Sequence, residues 1–178
     1  MEARSVAYAG VSAALLSVSA WVAIPFGPVP FTLQTLALAI LPAALRPVDA
    51  VASVVLYVLV GAIGLPVFAG FQGGVGVLAG PTGGFLWGFI LGMVTAAVLM
   101  RVLPDCLPLF GRALIADATM LLISYVCGTV QLMAVGSMGV APALAAAVLP
   151  FIIPDAIKLA VGARIGCSVR KALAAGRR

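Results

Sequence analysis

The chain has 178 residues, of which 64% are hydrophobic and 8% are charged, and its formal net charge is +5. Because soluble domains carry about 25% charged residues, this composition excludes an ordinary water-soluble protein. It indicates an all-α integral membrane protein. The basic residues are scattered and accompany no nucleic-acid-binding motif, so no nucleic acid partner is expected.

Several classes of enzyme are also disfavoured. The chain has no histidine, and its three cysteines do not form a pair at metal-ligand spacing, which argues against metal sites and nucleophile–histidine pairs. It lacks the phosphate-binding loop motif of ATPases, so active transport would need energy from a partner or an ion gradient. We expect no enzymatic activity, no cofactor and no metal.

The apolar runs predict one domain, residues 1–178, with roughly six membrane-spanning helices of about 20 residues. The first is interpreted as a retained span, although Val18–Ala20 would also pass as a signal-peptide cleavage site. Thr32 is expected to cap the second span and Asp49 the third. The expected spans are 5–25, 32–45, 49–64, 83–101, 109–135 and 150–170.

The second span is short, about 21 Å at 1.5 Å per residue against a hydrocarbon core of ~30 Å. The third is nearly as short, so the two leave a recess on one side of the membrane. The segment 65–82 is expected to fill it as a lid-like loop without secondary structure, since it is rich in glycine and uncharged but carries Phe68 and Phe71. An uncharged loop with aromatic side chains is unlike an ordinary flexible surface loop, which is usually polar.

Asp155 and Lys158 are the most informative pair of residues. Their spacing of three places both side chains on one face of a helix, and long apolar runs flank them on both sides. Ionisable residues inside a membrane cost several kcal/mol each and indicate a functional site. A purely structural ion pair is the alternative. Asp117, by contrast, is expected to balance a nearby arginine at the membrane edge.

The basic residues predict the orientation. Nine of the ten lie at the termini or at the connections that follow even-numbered spans, which places both termini in the cytoplasm. Lys158 is the exception. The recess, the loop 65–82 and the Asp155–Lys158 helix start therefore share the outer side, where Thr32, Gln34, Gln72 and Thr82 supply neutral polar groups. The nine residues are Arg4, Arg46, Arg101, Arg112, Arg164, Arg170, Lys171, Arg177 and Arg178.

Five motifs, in order along nearly the whole chain, resemble the BioY family of biotin-specific substrate-binding (S) components of energy-coupling factor (ECF) transporters. Phe85 stands where the family pattern has tyrosine. The motifs are Pro28–Thr35 (PVPFTLQT), Gly61–Phe71 (GAIGLPVFAGF), Gly73–Gly76 (GGVG), Gly80–Phe85 (GPTGGF) and Pro154–Lys158 (PDAIK).

The resemblance implies a six-helix S component in the cell membrane that captures biotin from outside. It also implies a transmembrane coupling subunit and two ATPase subunits as partners. In that family a stripe of small residues on the first helix docks on the coupling subunit, and the match here is Ala9-x-x-x-Ala13, within a wider stripe that includes Gly10 and Ala14. The alternative is a structural role, in which this stripe packs against the protein's own helices.

For ligand binding, an aspartate can accept from the N–H groups of the biotin ureido ring, and an ammonium can donate to its carbonyl. Phe and Val side chains would enclose the rest of the molecule. The expected biotin-binding residues are Phe31, Thr32, Gln34, Phe68, Phe71, Gln72, Gly74, Gly76, Thr82, Asp155 and Lys158.

Two other classes remain open at this stage. A proton-coupled or solitary carrier of a small vitamin-like solute could use Asp155 as its proton relay. An intramembrane enzyme would be left with a carboxylate or Ser/Lys mechanism, and no serine lies near Lys158 in the sequence.

Overall fold

The computed structural model describes residues 3–25 and 27–176. Two-residue strands β1 and β2 pair antiparallel, with Ala23 opposite Thr32 and Ile24 opposite Phe31. The strands are β1 Ala23–Ile24 and β2 Phe31–Thr32. The helices are α1 Ala3–Trp21, α2 Gln34–Ala44, α3 Pro47–Ala62, α4 Val75–Ala79, α5 Gly83–Val102, α6 Leu109–Gly136, α7 Val140–Ala147 and α8 Ile152–Ala175, and a single 3-10 turn covers Ala69–Phe71.

Helix lengths fit a multi-pass membrane protein. Among the described residues, α1, α5 and α6 are each long and apolar enough to cross a bilayer, and α7 with α8 forms a fourth candidate bent by 46°. Helices α2 and α3 are apolar but have only 11 and 16 residues. The expectation that these two helices are short is confirmed, and their shortness leaves room for a cavity at one end of the fold.

Glycines set the closest helix contacts. On α5, Gly84, Gly88 and Gly92 repeat every four residues and face α6, and a methyl group at Gly88 would lie 2.5 Å from the Ser124 Cα. Small residues at this spacing let two helix backbones approach closely in a membrane. On α8, Gly162 does the same against α2, where a methyl group would meet the Ala39 Cβ at 2.6 Å. These contacts fix the helices that carry the polar groups of the cavity.

The expectation of a loop without secondary structure at 65–82 is wrong. The segment contains the 3-10 turn and α4, and Gly74 N–H donates a hydrogen bond of 2.7 Å to Gly61 O on α3. Gly70 and Gly74 adopt φ angles of 68° and 95°, a region that side-chain-bearing residues rarely occupy. The positive φ angles turn the chain, and the backbone hydrogen bonds then order it.

Two expected helix caps are also corrected. Thr32 lies in β2, and α2 begins two residues later at Gln34, whose N–H still donates to Thr32 Oγ1 at 3.3 Å. Asp49 lies inside the first turn of α3 and accepts from Arg46 Nε at 2.8 Å. A carboxylate in the first turn is favourable because the helix dipole is positive there.

The expected partner of Asp117 is wrong as well. Asp117 is fully buried in α6, and neither of its carboxylate oxygens accepts a hydrogen bond from the described part of the chain. Arg112 instead donates to Asp105 and, at 2.6 Å, to Met100 O. Arg112 and Asp117 are five residues apart on the helix. This separation rotates their side chains about 140° from each other, so they face different directions.

Candidate functional site

A cavity of ≈ 560 Å³ lies where the β1–β2 hairpin and the segment 65–82 meet the adjoining parts of α2, α5, α6 and α8. Most of its lining is apolar. The lining includes seven of the residues that the sequence indicates for ligand binding: Thr32, Gln34, Phe68, Gln72, Thr82, Asp155 and Lys158. It also includes residues that the sequence analysis did not single out, among them Thr35, Phe89, Ser124, Tyr125 and Phe151.

Asp155 and Lys158 form a buried ion pair in the first turns of α8. Lys158 Nζ lies 2.9 Å from Asp155 Oδ1, and their side chains are 9% and 4% exposed. The same-face geometry expected from their spacing is confirmed. Because Gly162 brings α8 close to α2, the pair lies beside the start of α2 and the adjoining strand β2, where Thr32 O accepts from Lys158 Nζ at 2.7 Å.

Two hydroxyl groups also donate hydrogen bonds to the Asp155 carboxylate. Thr35 Oγ1 on α2 donates to Asp155 Oδ1 at 2.8 Å, and Tyr125 Oη on α6 donates to Asp155 Oδ2 at 2.7 Å. A carboxylate has about four acceptor positions. Among the described residues, Oδ1 therefore accepts from Thr35 and Lys158, whereas Oδ2 accepts one hydrogen bond and retains capacity for another.

The ammonium group of Lys158 also has fewer hydrogen-bond partners than it can bind. Lys158 donates to Asp155 Oδ1 and Thr32 O, so one of its three N–H donors has no oxygen acceptor among the described residues. Its Nζ also lies 3.7 Å from the centroid of the Phe31 ring, which supplies a cation–π contact. Within the described part of the chain, one acceptor position on Asp155 and one donor on Lys158 are thus unused.

Aromatic rings line much of the cavity, namely Phe68, Phe85, Phe89, Tyr125 and Phe151, and Phe31 and Tyr57 pack against two of these rings from outside the lining. Phe31 stacks on Phe151 with ring centroids 6.1 Å apart, and Phe68 meets Tyr57 edge-on at 5.5 Å. Gln34 is buried but also lines the cavity, and its Nε2 donates to Tyr57 Oη at 2.8 Å. The Gln34 amide N–H₂ is therefore engaged in holding α2 against α3.

The segment 65–82 is attached to the bundle at both ends. Trp21 Nε1 at the end of α1 donates to Pro66 O at 2.8 Å. Gln131 Nε2 on α6 donates to Leu78 O and Gly80 O at 2.8 and 2.7 Å. The sequence gives no local signal for these bonds, since both donors lie on other helices.

Four expected ligand-binding residues lie outside the cavity lining. Phe71 is 62% exposed and stacks on Trp21, with ring centroids 5.1 Å apart. Gly74 is the N-cap of α4 and Gly76 lies in its first turn, and neither borders the cavity. Phe31 is also absent from the lining, but it contacts Lys158 directly.

The small-residue stripe of α1 is divided between two faces. Ala9 and Ala13 are each 8% exposed, and Ala13 belongs to the main hydrophobic core. This burial favours packing of Ala9 and Ala13 against the protein's own helices, and their docking on a coupling subunit stays a prediction. Gly10 and Ala14, one position further along the helix, are exposed.

These features define a helical membrane protein with a buried ion pair in a cavity at one end of the bundle. The sequence model of the BioY family matches residues 1–175. The chain belongs to the BioY family, as the motif resemblance indicates.

Individual relatives agree with this assignment. The chain is 40% identical to the biotin transporter BioY of Thermotoga maritima, over 94% of this chain and 96% of that protein. It is 34% identical to the probable biotin transporter BioY of Pyrococcus horikoshii, over 90% and 92% respectively. The crystal structure of the S-component for biotin from an ECF-type ABC transporter matches with a TM-score of 0.86 at 24% identity, over 94% of this chain and 91% of that chain. That structural likeness shows the S-component fold.

Proposed function

We propose that the protein captures biotin and transports it as the S component of an ECF-type transporter. The observation that carries this proposal is the Asp155–Lys158 pair, buried in the cavity with one acceptor and one donor position left open. The named relatives are a biotin transporter and a probable biotin transporter. The protein acts in membrane transport and is not an enzyme.

The open positions fit the ureido group of biotin. Asp155 Oδ2 accepts from a ureido N–H, and the third N–H of Lys158 donates to the ureido carbonyl. Charge-assisted hydrogen bonds of this kind are about twice as strong as neutral ones. The cavity volume of ≈ 560 Å³ lies within the usual range of about 300–1,000 Å³ for small-molecule sites.

The remaining parts of biotin have separate partners in this proposal. The thiophane ring and the valeryl chain lie against Phe68, Phe85 and Phe89, which line the cavity. No further basic residue of the described chain lines the cavity. Gln72 and Thr82, with backbone N–H groups of the segment 65–82, therefore receive the biotin carboxylate. Phe85 offers only its ring, because it lacks the hydroxyl of the family's tyrosine.

We further propose six spans with both termini in the cytoplasm. In this arrangement α2 and α3 cross as short spans, and α7 with α8 forms one bent span. The basic residues then concentrate on the cytoplasmic side, and the biotin cavity opens to the outer side.

Energy for transport comes from an ECF module that consists of a transmembrane coupling subunit and two ATPases. The exposed half of the small-residue stripe, Gly10 and Ala14, is the part of α1 available for contact with the coupling subunit. Close approach of another helix is favoured where side chains are this small.

A binding titration of the purified protein with biotin, thiamine and riboflavin tests the ligand assignment. We expect saturable binding of biotin alone; binding of another vitamin in its place would overturn the assignment. Uptake assays test the energy source. Uptake through the ECF module stops on ATP depletion and persists when the proton gradient is collapsed, whereas a proton-coupled carrier shows the reverse.

A further inference from the structure

A second cavity, of ≈ 520 Å³, lies at the opposite end of the helices from the biotin cavity. On α8 the biotin cavity is bordered by Asp155 and the second cavity by Arg170; on α5 the corresponding residues are Phe85 and Arg101. Among the described residues, four arginines and one aspartate line this cavity: Arg46, Arg101, Arg112, Arg170 and Asp49. The cavity is therefore strongly basic, and the transport proposal assigns it no role.

Two of these arginines already have carboxylate partners. Arg46 pairs with Asp49 at 2.8 Å, and Arg112 pairs with Asp105. Arg112 Nε is buried and has no acceptor among the described residues. Arg101 and Arg170 are exposed and make no hydrogen bond or ion pair within the described chain. The cavity thus offers guanidinium donors that lack an anion.

We propose that this basic cavity binds the phosphodiester headgroup of an anionic phospholipid. Guanidinium groups bind phosphate oxygens through paired, charge-assisted hydrogen bonds, and basic pockets between membrane helices on the cytoplasmic side bind such headgroups. On the orientation proposed above, these arginines lie on the cytoplasmic side.

The apolar parts of the cavity and its surroundings favour a lipid over a soluble anion. Leu45, Met100 and Leu173 also line the cavity and would contact the glycerol portion. Val48 and Val102, which are next in sequence to lining residues, are 62% and 73% exposed. These side chains continue from the basic cavity onto the apolar outer surface, so a bound headgroup and its acyl chains have adjoining contacts.

Native mass spectrometry of the full chain in detergent tests this proposal, with phosphatidylglycerol and phosphatidylcholine as probes. The test variant carries Arg101→Gln and Arg170→Gln. The matched control is Lys171→Gln, which removes one charge from the next position of α8, outside the cavity lining. We expect the preference for phosphatidylglycerol to fall roughly tenfold or more in the double variant and to be unchanged in the control, since each arginine near an anionic surface contributes to binding.

Folding and the source of the phosphate are measured in parallel. Biotin affinity of the double variant should equal that of the wild type, because the two cavities are at opposite ends; if the double variant fails to fold, Arg170→Gln alone should still reduce the preference. An unchanged preference in every folded variant would overturn the proposal. Equal stabilisation by inorganic phosphate and by phosphatidylglycerol would assign the cavity to a soluble anion and also overturn it. The proposal would also be overturned if the double variant kept its lipid preference but no longer captured the coupling subunit. The cavity would then be a protein-docking site.

Discussion

Tyr125 Oη on α6 donates a hydrogen bond of 2.7 Å to Asp155 Oδ2 on α8, and this bond fixes one edge of the carboxylate. The other edge is held by Thr35 Oγ1 from α2 at 2.8 Å and by Lys158 Nζ at 2.9 Å. Three helices therefore orient one carboxylate in a largely apolar cavity. A carboxylate held in this way presents its remaining acceptor position in a defined direction.

The first prediction concerns the Tyr125 hydroxyl group. Tyr125→Phe should weaken biotin binding about tenfold or more, because hydrogen bonds to charged groups contribute roughly 1.5–3 kcal/mol. Isothermal titration of the purified variant measures the change. Tyr8→Phe is the matched control, since Tyr8 lies at the opposite cavity and should leave the affinity unchanged. Wild-type affinity in Tyr125→Phe would show that Thr35 and Lys158 suffice to orient Asp155.

The second prediction separates a binding role of the ion pair from a structural one. Asp155→Asn and Lys158→Met should each abolish measurable biotin binding while the protein still inserts, because breaking a buried pair costs roughly 3–5 kcal/mol. Affinity and thermal unfolding are measured together. Asp117→Asn serves as the control, because Asp117 is a buried aspartate outside the cavity lining. Normal affinity with reduced stability in the pair variants would assign Asp155 and Lys158 a structural role.

The sequence predicts the ion pair because its geometry is local. A spacing of three residues on one helix determines that Asp155 and Lys158 face the same side, whatever surrounds them. Tyr125 and Thr35 are not predictable in this way, since each comes from a different helix. Their position depends on how closely α8 approaches its neighbours, which is set by glycine contacts such as Gly162 against Ala39.

Which helix faces pack inside the bundle is equally hard to predict from the sequence. Composition predicts apolar helices, but in a membrane protein an apolar helix has no polar face to mark its exposed side. The small residues of α1 therefore indicate close packing without indicating the partner. The structure assigns Ala9 and Ala13 to the interior and leaves Gly10 and Ala14 exposed.

The third prediction concerns the segment 65–82 as a lid over bound biotin. Hydrogen exchange of its backbone amides should slow when biotin is added, because ligand contacts oppose local opening. Gly74→Val should weaken binding, since its φ of 95° is strained for a residue with a side chain. Gly76→Ala is the control, because a methyl group there meets nothing within 4 Å. Equal exchange with and without biotin would argue against a lid.

The last prediction compares two neighbouring residues of α1. Ala13→Trp places a large ring in the main core, so it should lower the thermal unfolding temperature and the biotin affinity together. Ala14→Trp places the same ring on the exposed face, so it should preserve both properties and block assembly with the coupling subunit. Pull-down of the coupling subunit, a biotin titration and a thermal melt are performed on both variants. The two substitutions are identical in chemistry and adjacent in sequence, so a difference between them reports the face of the helix alone. Normal assembly of Ala14→Trp would rule out this face as the contact with the coupling subunit.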